Sequence, residues 1–161
     1  MAKIKQNTIQ IKIFVSFLAI LFLGMAACRE ECHYKPRSHA GVEFFSIIDG
    51  TAAEAGVNLL ELKGVGREDS LLYENRTNIR ALSLPMNGMA EETGFIFVFE
   101  EHTDTIWFRY EVIPFFLSQE CGFMLNFELA DVSYTTAGID SVVIVTRKIT
   151  SFDDTNIRIY H

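Results

Sequence analysis

Apolar and polar residues alternate with a period of two through much of the second half of the chain. From residue 105 to 112 the apolar positions begin at Ile106, and the positions between them include Trp107, Arg109 and Glu111. From 121 to 131 the alternation runs through phenylalanine and leucine. This period, with aromatic and β-branched residues, predicts half-buried strands. Residues 95–99, FIFVF, are apolar throughout and predict a central strand covered on both faces.

The rest of the chain predicts more short strands separated by turns. Residues 100–105, EEHTDT, predict a polar hairpin connection, and residues 51–55, TAAEA, have short helical character. Further strands are predicted at 42–48, 57–63, 70–73, 79–84, 141–146 and 156–160.

Many short strands at this spacing are typical of a sandwich or a barrel. A single sheet would leave an apolar face in water, which favours two packed sheets. We therefore predict an all-β fold, an antiparallel immunoglobulin-like β-sandwich. A small calycin-like barrel is the alternative, because residues 95–99 and the strands after them form a meander.

The N-terminus has the pattern of an export signal. Lys3, Lys5 and Lys12 precede any acidic residue, and an uncharged run at 13–25 is followed by two alanines. This is the signature of a secretory signal, and the run is shorter than the roughly 20 residues of a membrane-spanning helix. We predict a signal peptide at 1–27, a tether at 28–40 and a β-sandwich domain at 41–161.

Residues 25–28, MAAC, resemble the lipobox of bacterial lipoproteins, in which small residues precede a cysteine that becomes the acylated N-terminus. The resemblance implies that Cys28 carries the lipid, and several acyl chains would make the anchor stable. Residues 29–31, Arg-Glu-Glu, resemble the charged tag of surface lipoproteins in Bacteroides-type bacteria, although an ordinary solvated tether has the same composition. The predicted location is the outer membrane, facing the periplasm or the cell surface.

The net charge limits the kinds of partner, and the number of cysteines limits how they can pair. Removing residues 1–27 takes three of 14 basic residues and none of 21 acidic ones, which leaves a net charge of −10. So acidic a chain argues against nucleic acid as a partner. With Cys28 lipidated, Cys32 and Cys121 remain, and in an oxidising compartment they are most simply a disulfide. It would close a loop of about 90 residues, worth about 4.5 kcal/mol.

Candidate metal ligands cluster near the tether. Cys28, Cys32, His33 and His39 could suggest a zinc site, but their spacing matches no standard pattern and both cysteines have other predicted roles. We predict no metal and no cofactor.

Catalytic motifs are sparse. The sequence lacks the Gly-x-Ser-x-Gly of one large hydrolase class, and the glycines at 64 and 66 lack the rest of a phosphate-binding loop. His102, flanked by Glu100, Glu101 and Asp104, is the best catalytic or metal-binding candidate, but its turn position favours an ordinary solvated residue. We predict that the protein is not an enzyme.

Two surface features suggest binding. Trp107, Arg109 and Glu111 share the polar face of one predicted strand, and an aromatic ring among charged groups can stack on a sugar or bind a partner. The alternative is a tryptophan packed into the fold. Residues 114–117, PFFL, are predicted to form an exposed apolar loop and thus an interaction site.

Three tripeptides, at 69–71, 104–106 and 140–142, resemble the Asp-Ser/Thr-apolar acceptor of O-glycosylation in exported proteins of these bacteria. They make Ser70, Thr105 and Ser141 candidate glycosylation sites. The same tripeptide is also typical of a turn that enters a strand.

Several motifs resemble one uncharacterised family of small Bacteroides-type lipoproteins. They are Ser-x-Glu-Cys-Gly-Phe at 118–123, Cys-x-x-x-Pro at 32–36, Leu-Pro at 84–85 and NIRIYH at 156–161. The resemblance supports the disulfide, because both cysteines belong to the pattern, and it implies an outer-membrane barrel protein as a partner. A glycine such as Gly122 in a strand indicates a bulge or a close backbone approach.

The combined prediction is a membrane-anchored envelope lipoprotein, serving as a non-enzymatic interaction or accessory module. The alternative is a small-ligand or glycan-binding lipoprotein that uses Trp107 and its neighbours.

Overall fold

A computed structural model describes residues 38–119, 121–150 and 154–161. Within these ranges the chain forms strands, and no helix there is long and apolar enough to span a membrane. The strands in chain order are β1 (His39–Ile48), β2 (Thr51–Glu54), β3 (Val57–Gly64), β4 (Arg67–Ile79), β5 (Ala81–Pro85), β6 (Glu92–Phe99), β7 (Thr103–Ser118), β8 (Gly122–Tyr134), β9 (Ser141–Ile144), β10 (Lys148–Ile149) and β11 (Thr155–Tyr160).

The strands form two sheets. One is five-stranded, in the order β2-β1-β11-β9 with β5 also paired to β1, and the other is six-stranded, in the order β10-β8-β7-β6-β3-β4. β1 and β11 run parallel, whereas the other pairings among the described strands are antiparallel. The predicted all-β sandwich is confirmed. The small barrel is not formed, since the strands divide between two sheets instead of closing one.

The inner faces of the two sheets pack into one apolar core, as the period of two predicts. Phe95, Phe97, Ile106 and Phe108 of the six-stranded sheet are almost fully buried. From the five-stranded sheet the core takes Ala40, Val42, Phe44, Leu82, Leu84, Ile157 and Ile159. Ile96, on the other face of β6, is only half-buried, so the prediction that residues 95–99 are covered on both faces is wrong for the outer face.

Two predicted elements differ in the structure. Residues 51–54 form β2, which pairs with β1, instead of a helical turn. Residues 79–84, predicted as one strand, divide between β4, which ends at Ile79 in one sheet, and β5, which begins at Ala81 in the other. Arg80 lies at the crossing, where its carbonyl accepts the N–H of Phe44.

Asn156 links three segments at one corner of the sandwich. Its buried side chain accepts the N–H of Gly41 at 2.9 Å and donates to the carbonyls of Thr146 and Lys148 at 3.1 and 2.9 Å. The latter two residues lie where the chain passes from β9 to β10. One amide therefore satisfies three backbone groups, one in β1 and two between the end of β9 and the start of β10.

β7 and β8 form the longest hairpin of the structure. Their pairing continues to Ser118 and Gly122, past the part of β7 that faces the core. Residues 114–117, predicted as a loop, therefore belong to a strand. We call residues 113–118 and 122–126 the hairpin arm. Gly122 has φ 70°, and a Cβ there would meet nothing within 4 Å, so its backbone conformation and not a close approach favours glycine.

Candidate functional site

The predicted patch of Trp107, Arg109 and Glu111 lies on the outer face of the six-stranded sheet. Trp107 is half-buried, while Arg109 and Glu111 are exposed. Arg109 pairs with Asp131 of β8 at 3.5 Å, with both side chains largely in solvent. Such an exposed ion pair contributes little to stability. Arg109 thus belongs to the open sheet surface.

The indole of Trp107 lies directly on the backbone of Gly94, its cross-strand partner in β6. A Cβ on Gly94 would approach the ring carbon Cε3 to 2.6 Å, so the close contact requires glycine. A cleft of about 430 Å³ opens beside the ring. We call it the Trp107 cleft; Arg67 and Ser70 of β4, Asn87 and Glu92 are among its lining residues.

Tyr110 holds one wall of the Trp107 cleft. Its buried hydroxyl accepts the N–H of Asn87 at 3.2 Å and donates to the carbonyl of Asn87 at 2.9 Å. Thr93 contacts the same hydroxyl at 2.6 Å and donates to it, because the single proton of Tyr110 is already used. Tyr110 lies on the buried face of β7, and no motif around it in the sequence indicates this role.

The chemistry of the Trp107 cleft suits a small polar ligand with one apolar face. An aromatic surface is joined there by a guanidinium, an amide and a carboxylate, from Arg67, Asn87 and Glu92. Ligand sites in proteins combine an apolar surface with a few polar groups that set orientation. The structure therefore brings Trp107 together with groups from β4 and from the β5–β6 connection, and it leaves Arg109 and Glu111 outside this cleft.

His102 lies at another cleft, of about 260 Å³, with Glu100, Glu101 and His161 in its lining. The His102 ring packs on Phe99, with centroids 4.6 Å apart, and covers Gly138. Burial lowers the pKa of His161, with Asp140 opposing and His102 adding to that shift. Among the residues described around this cleft, the lining offers no hydroxyl or thiol to act as a nucleophile.

Residues 100–105 were predicted as a polar hairpin connection, but β7 already begins at Thr103, so Asp104 lies within a strand. It is fully buried in β7, and its carboxylate accepts hydrogen bonds from the Thr135 hydroxyl and from the N–H groups of Ala137, Gly138 and Ile139 at 2.7–3.2 Å. Burial by itself would raise the pKa of Asp104, but these four donors outweigh it and lower the pKa below its ordinary value. Asp104 therefore fixes the β8–β9 connection; the nearest histidine nitrogen, in His102, is 3.9 Å away.

One family model covers most of this architecture. The model, a family of unknown function (DUF6452), matches residues 59–161, from within β3 to the C-terminus. The chain belongs to this family. No curated protein and no solved structure matches it. The resemblance to an uncharacterised family is confirmed to this extent, and the lipoprotein character stays a prediction.

The DUF6452 match includes every residue of the Trp107 cleft, Asp104 with its donors, and the hairpin arm.

Cys28, Cys32 and His33 lie outside the described residues, as does the predicted lipid. Cys121 is described and disulfide-bonded, and its pairing with Cys32 stays a prediction. Among the described residues no group of three metal-binding side chains is placed to hold an ion.

The three candidate glycosylation sites of this DUF6452 chain differ in accessibility. Ser70 lies exposed on the edge strand β4, with exposed Asp69 before it. Thr105 and Ser141 are half-buried, and the acidic residue before Thr105 is the buried Asp104. An enzyme acting on the folded protein would therefore reach the Ser70 tripeptide most easily.

Replacing Tyr110 with phenylalanine should leave the N–H and carbonyl of Asn87 without their partner. We expect the free energy of unfolding to fall by about 1–3 kcal/mol, because the site is buried. Tyr73→Phe is a matched control, since its hydroxyl also bonds one backbone N–H and carbonyl, those of Ser83, but in solvent. Urea denaturation of both variants measures the difference. Equal losses would contradict the role given to Tyr110.

The Asp104 carboxylate should make stability depend on pH. Because the folded pKa is lowered, its contribution is complete above the ordinary aspartate pKa of about 3.9 and is lost as pH falls toward the folded value. Asp104→Asn should cost about 1–3 kcal/mol at neutral pH. The difference in the free energy of unfolding between this variant and the unmodified protein should narrow progressively below about pH 4.

Urea denaturation across a pH series measures this gap. Asp49→Asn, in the exposed β1–β2 turn, should change the free energy of unfolding by no more than about 0.5 kcal/mol at neutral pH. A gap between Asp104→Asn and the unmodified protein that stays constant down to pH 2 would overturn the assignment.

Proposed function

We propose that this protein is a lipid-anchored, non-enzymatic binding module of the bacterial envelope, with the Trp107 cleft as its ligand site. The observation that carries the proposal is the half-buried indole of Trp107 beside a cleft of about 430 Å³. A tryptophan packed only for stability would need neither a cleft nor converging polar groups. The Trp107 ring, which lies over Gly94, instead borders both a cleft and polar side chains.

A carbohydrate is the ligand class that fits this chemistry. A sugar ring has an apolar C–H face that stacks on an aromatic ring, and hydroxyls around its rim that bond to charged and amide groups. Trp107 supplies the aromatic surface, and Arg67 and Asn87 supply donors at the same cleft. The mixed charges of Arg67 and Glu92 favour a neutral ligand over a strongly charged one.

The arrangement of the described residues around His102 supports a binding role over an enzymatic one. Asp104 makes four hydrogen bonds to the β8–β9 connection, so it serves the fold. Without a hydroxyl or thiol in the described lining, His102 has no side-chain nucleophile to activate.

The envelope location rests on the sequence. The export signal at 1–27 and the lipobox ending at Cys28 support an outer-membrane lipid anchor, and the Cys32–Cys121 disulfide would join the tether to the turn between β7 and β8. The outer-membrane barrel protein remains the proposed macromolecular partner, supported by the family resemblance alone.

Trp107 is the single tryptophan of the chain, so its fluorescence reports directly on the cleft. We expect a neutral mono- or oligosaccharide from a screened library to shift this emission in the full chain purified from membranes. Arg67→Ala should then weaken binding about tenfold, the loss of one charge-assisted hydrogen bond. Arg76→Ala is the matched control, because Arg76 is exposed on the same strand but outside the cleft.

Two results would contradict the ligand site. In one, no saccharide changes the emission of Trp107. In the other, Arg67→Ala and Arg76→Ala bind the identified sugar equally well.

The anchor is tested by the intact mass of the protein isolated from its native membrane. We expect an N-terminus at Cys28 carrying acyl chains, and two thiols that become alkylatable only after reduction. A Cys28→Ser variant should lose the acyl mass and leave the membrane fraction. An unmodified Cys28, or three thiols free without reduction, would refute the anchor and the disulfide respectively.

A further inference from the structure

The hairpin arm ends in a group of exposed aromatic side chains. Phe115, Phe116 and Phe123 have relative exposures of 51, 52 and 68%, and Ile113 is 37% exposed. Phe116 and Phe123 pack edge to face with their centroids 5.1 Å apart. We call these four residues the aromatic tip. Large apolar side chains grouped on the surface of a soluble domain indicate contact with a partner or a membrane.

The aromatic tip is apolar on both faces of the ribbon. Phe115 and Phe116 are neighbours on β7, so they point to opposite faces, yet each is about half exposed. Between Glu111 and Glu128 the sequence carries one charged residue, Glu120. A flat protein interface would cover one face of such a ribbon, whereas a lipid layer surrounds both.

The described end of the predicted tether lies close to this arm. Ser38, the first described residue, donates its hydroxyl to the carbonyl of Leu125 at 2.7 Å. Leu125 pairs with Pro114 in the arm. Ten residues separate Cys28 from Ser38, and they can span at most about 35 Å.

The proposed disulfide shortens this distance. Cys121 lies in the turn at the end of the arm, next to Gly122, and Cys32 is four residues from Cys28. Four extended residues span at most about 14 Å. A lipid on Cys28 would therefore keep the turn that joins Ser118 to Gly122 near the bilayer surface. The largest possible separation is the span of these four residues plus the length of the disulfide.

We infer that the aromatic tip inserts into the interfacial region of the membrane that carries the anchor, which makes it a second membrane contact beside the lipid. The inference rests on the proposed anchor and disulfide. Phe115, Phe116 and Phe123 enter the boundary between headgroups and acyl chains, where aromatic side chains on amphipathic elements reside. Because the chain is strongly acidic, the contact is apolar and takes neutral lipid.

The tip can be tested by fluorescence in phosphatidylcholine vesicles. The full chain, carrying Trp107→Phe to remove the native signal, receives Phe123→Trp as a probe. Val143→Trp, at an exposed position of β9 in the other sheet, is the matched control. After reconstitution of the lipidated protein, we expect the tryptophan at 123 to shift to shorter wavelength and to be quenched by lipids brominated near the headgroup. The control probe should do neither.

Three outcomes separate the alternatives. Quenching at position 123 equal to that of the control, in protein whose acyl mass is verified, overturns the inference and leaves the anchor intact. A blue shift at 123 without lipid quenching means that protein, such as a second copy of this chain, covers the tip, and also overturns it. Missing acyl mass refutes the proposed anchor itself, and with it the tether on which this inference depends.

Discussion

This sandwich depends on hydrogen-bond partners for the backbone groups of the segments that cross between its two sheets. A crossing segment has no ladder partner, so its N–H and C=O groups need other partners once they are buried. Three buried polar side chains supply them: Tyr110 at the β5–β6 connection, Asp104 at β8–β9 and Asn156 at β9–β10. The apolar core holds the sheets together, and these three groups satisfy backbone atoms at three of the crossings between them.

The same constraint shapes the Trp107 cleft. The segment after Pro85 bonds through Asn87 to Tyr110, on the inner face of β7, while Trp107 lies on the outer face of that strand. Through Tyr110 on its inner face, β7 thus bonds the segment that forms one wall of the cleft. Through Trp107 on its outer face, the same strand presents the aromatic surface. Because side chains alternate along a strand, three residues of sequence separation suffice for both tasks.

The hairpin arm begins where the inward side chains of β7 are no longer buried. Up to Tyr110, the inward residues of β7 are buried against the other sheet, whereas beyond Val112 the strand continues without that cover. Pairing with β8 maintains the strand geometry there, because a ladder needs only its neighbour. The end of the arm is therefore ordered by hydrogen bonds while its three phenylalanine side chains stay exposed, which is a combination suited to a membrane contact.

The sequence by itself determined that the chain is built mainly of strands and favoured two packed sheets, because the period of two fixes which side of a strand is apolar. It also placed Trp107 on an outer face and marked 114–117 as exposed apolar residues. Only the tertiary structure decided that β1 and β11 pair in parallel, that Asp104 is buried, and that β4 and Asn87 meet at Trp107. These features join residues far apart in the chain. A local pattern reports the face of a strand but not the strand that will cover it.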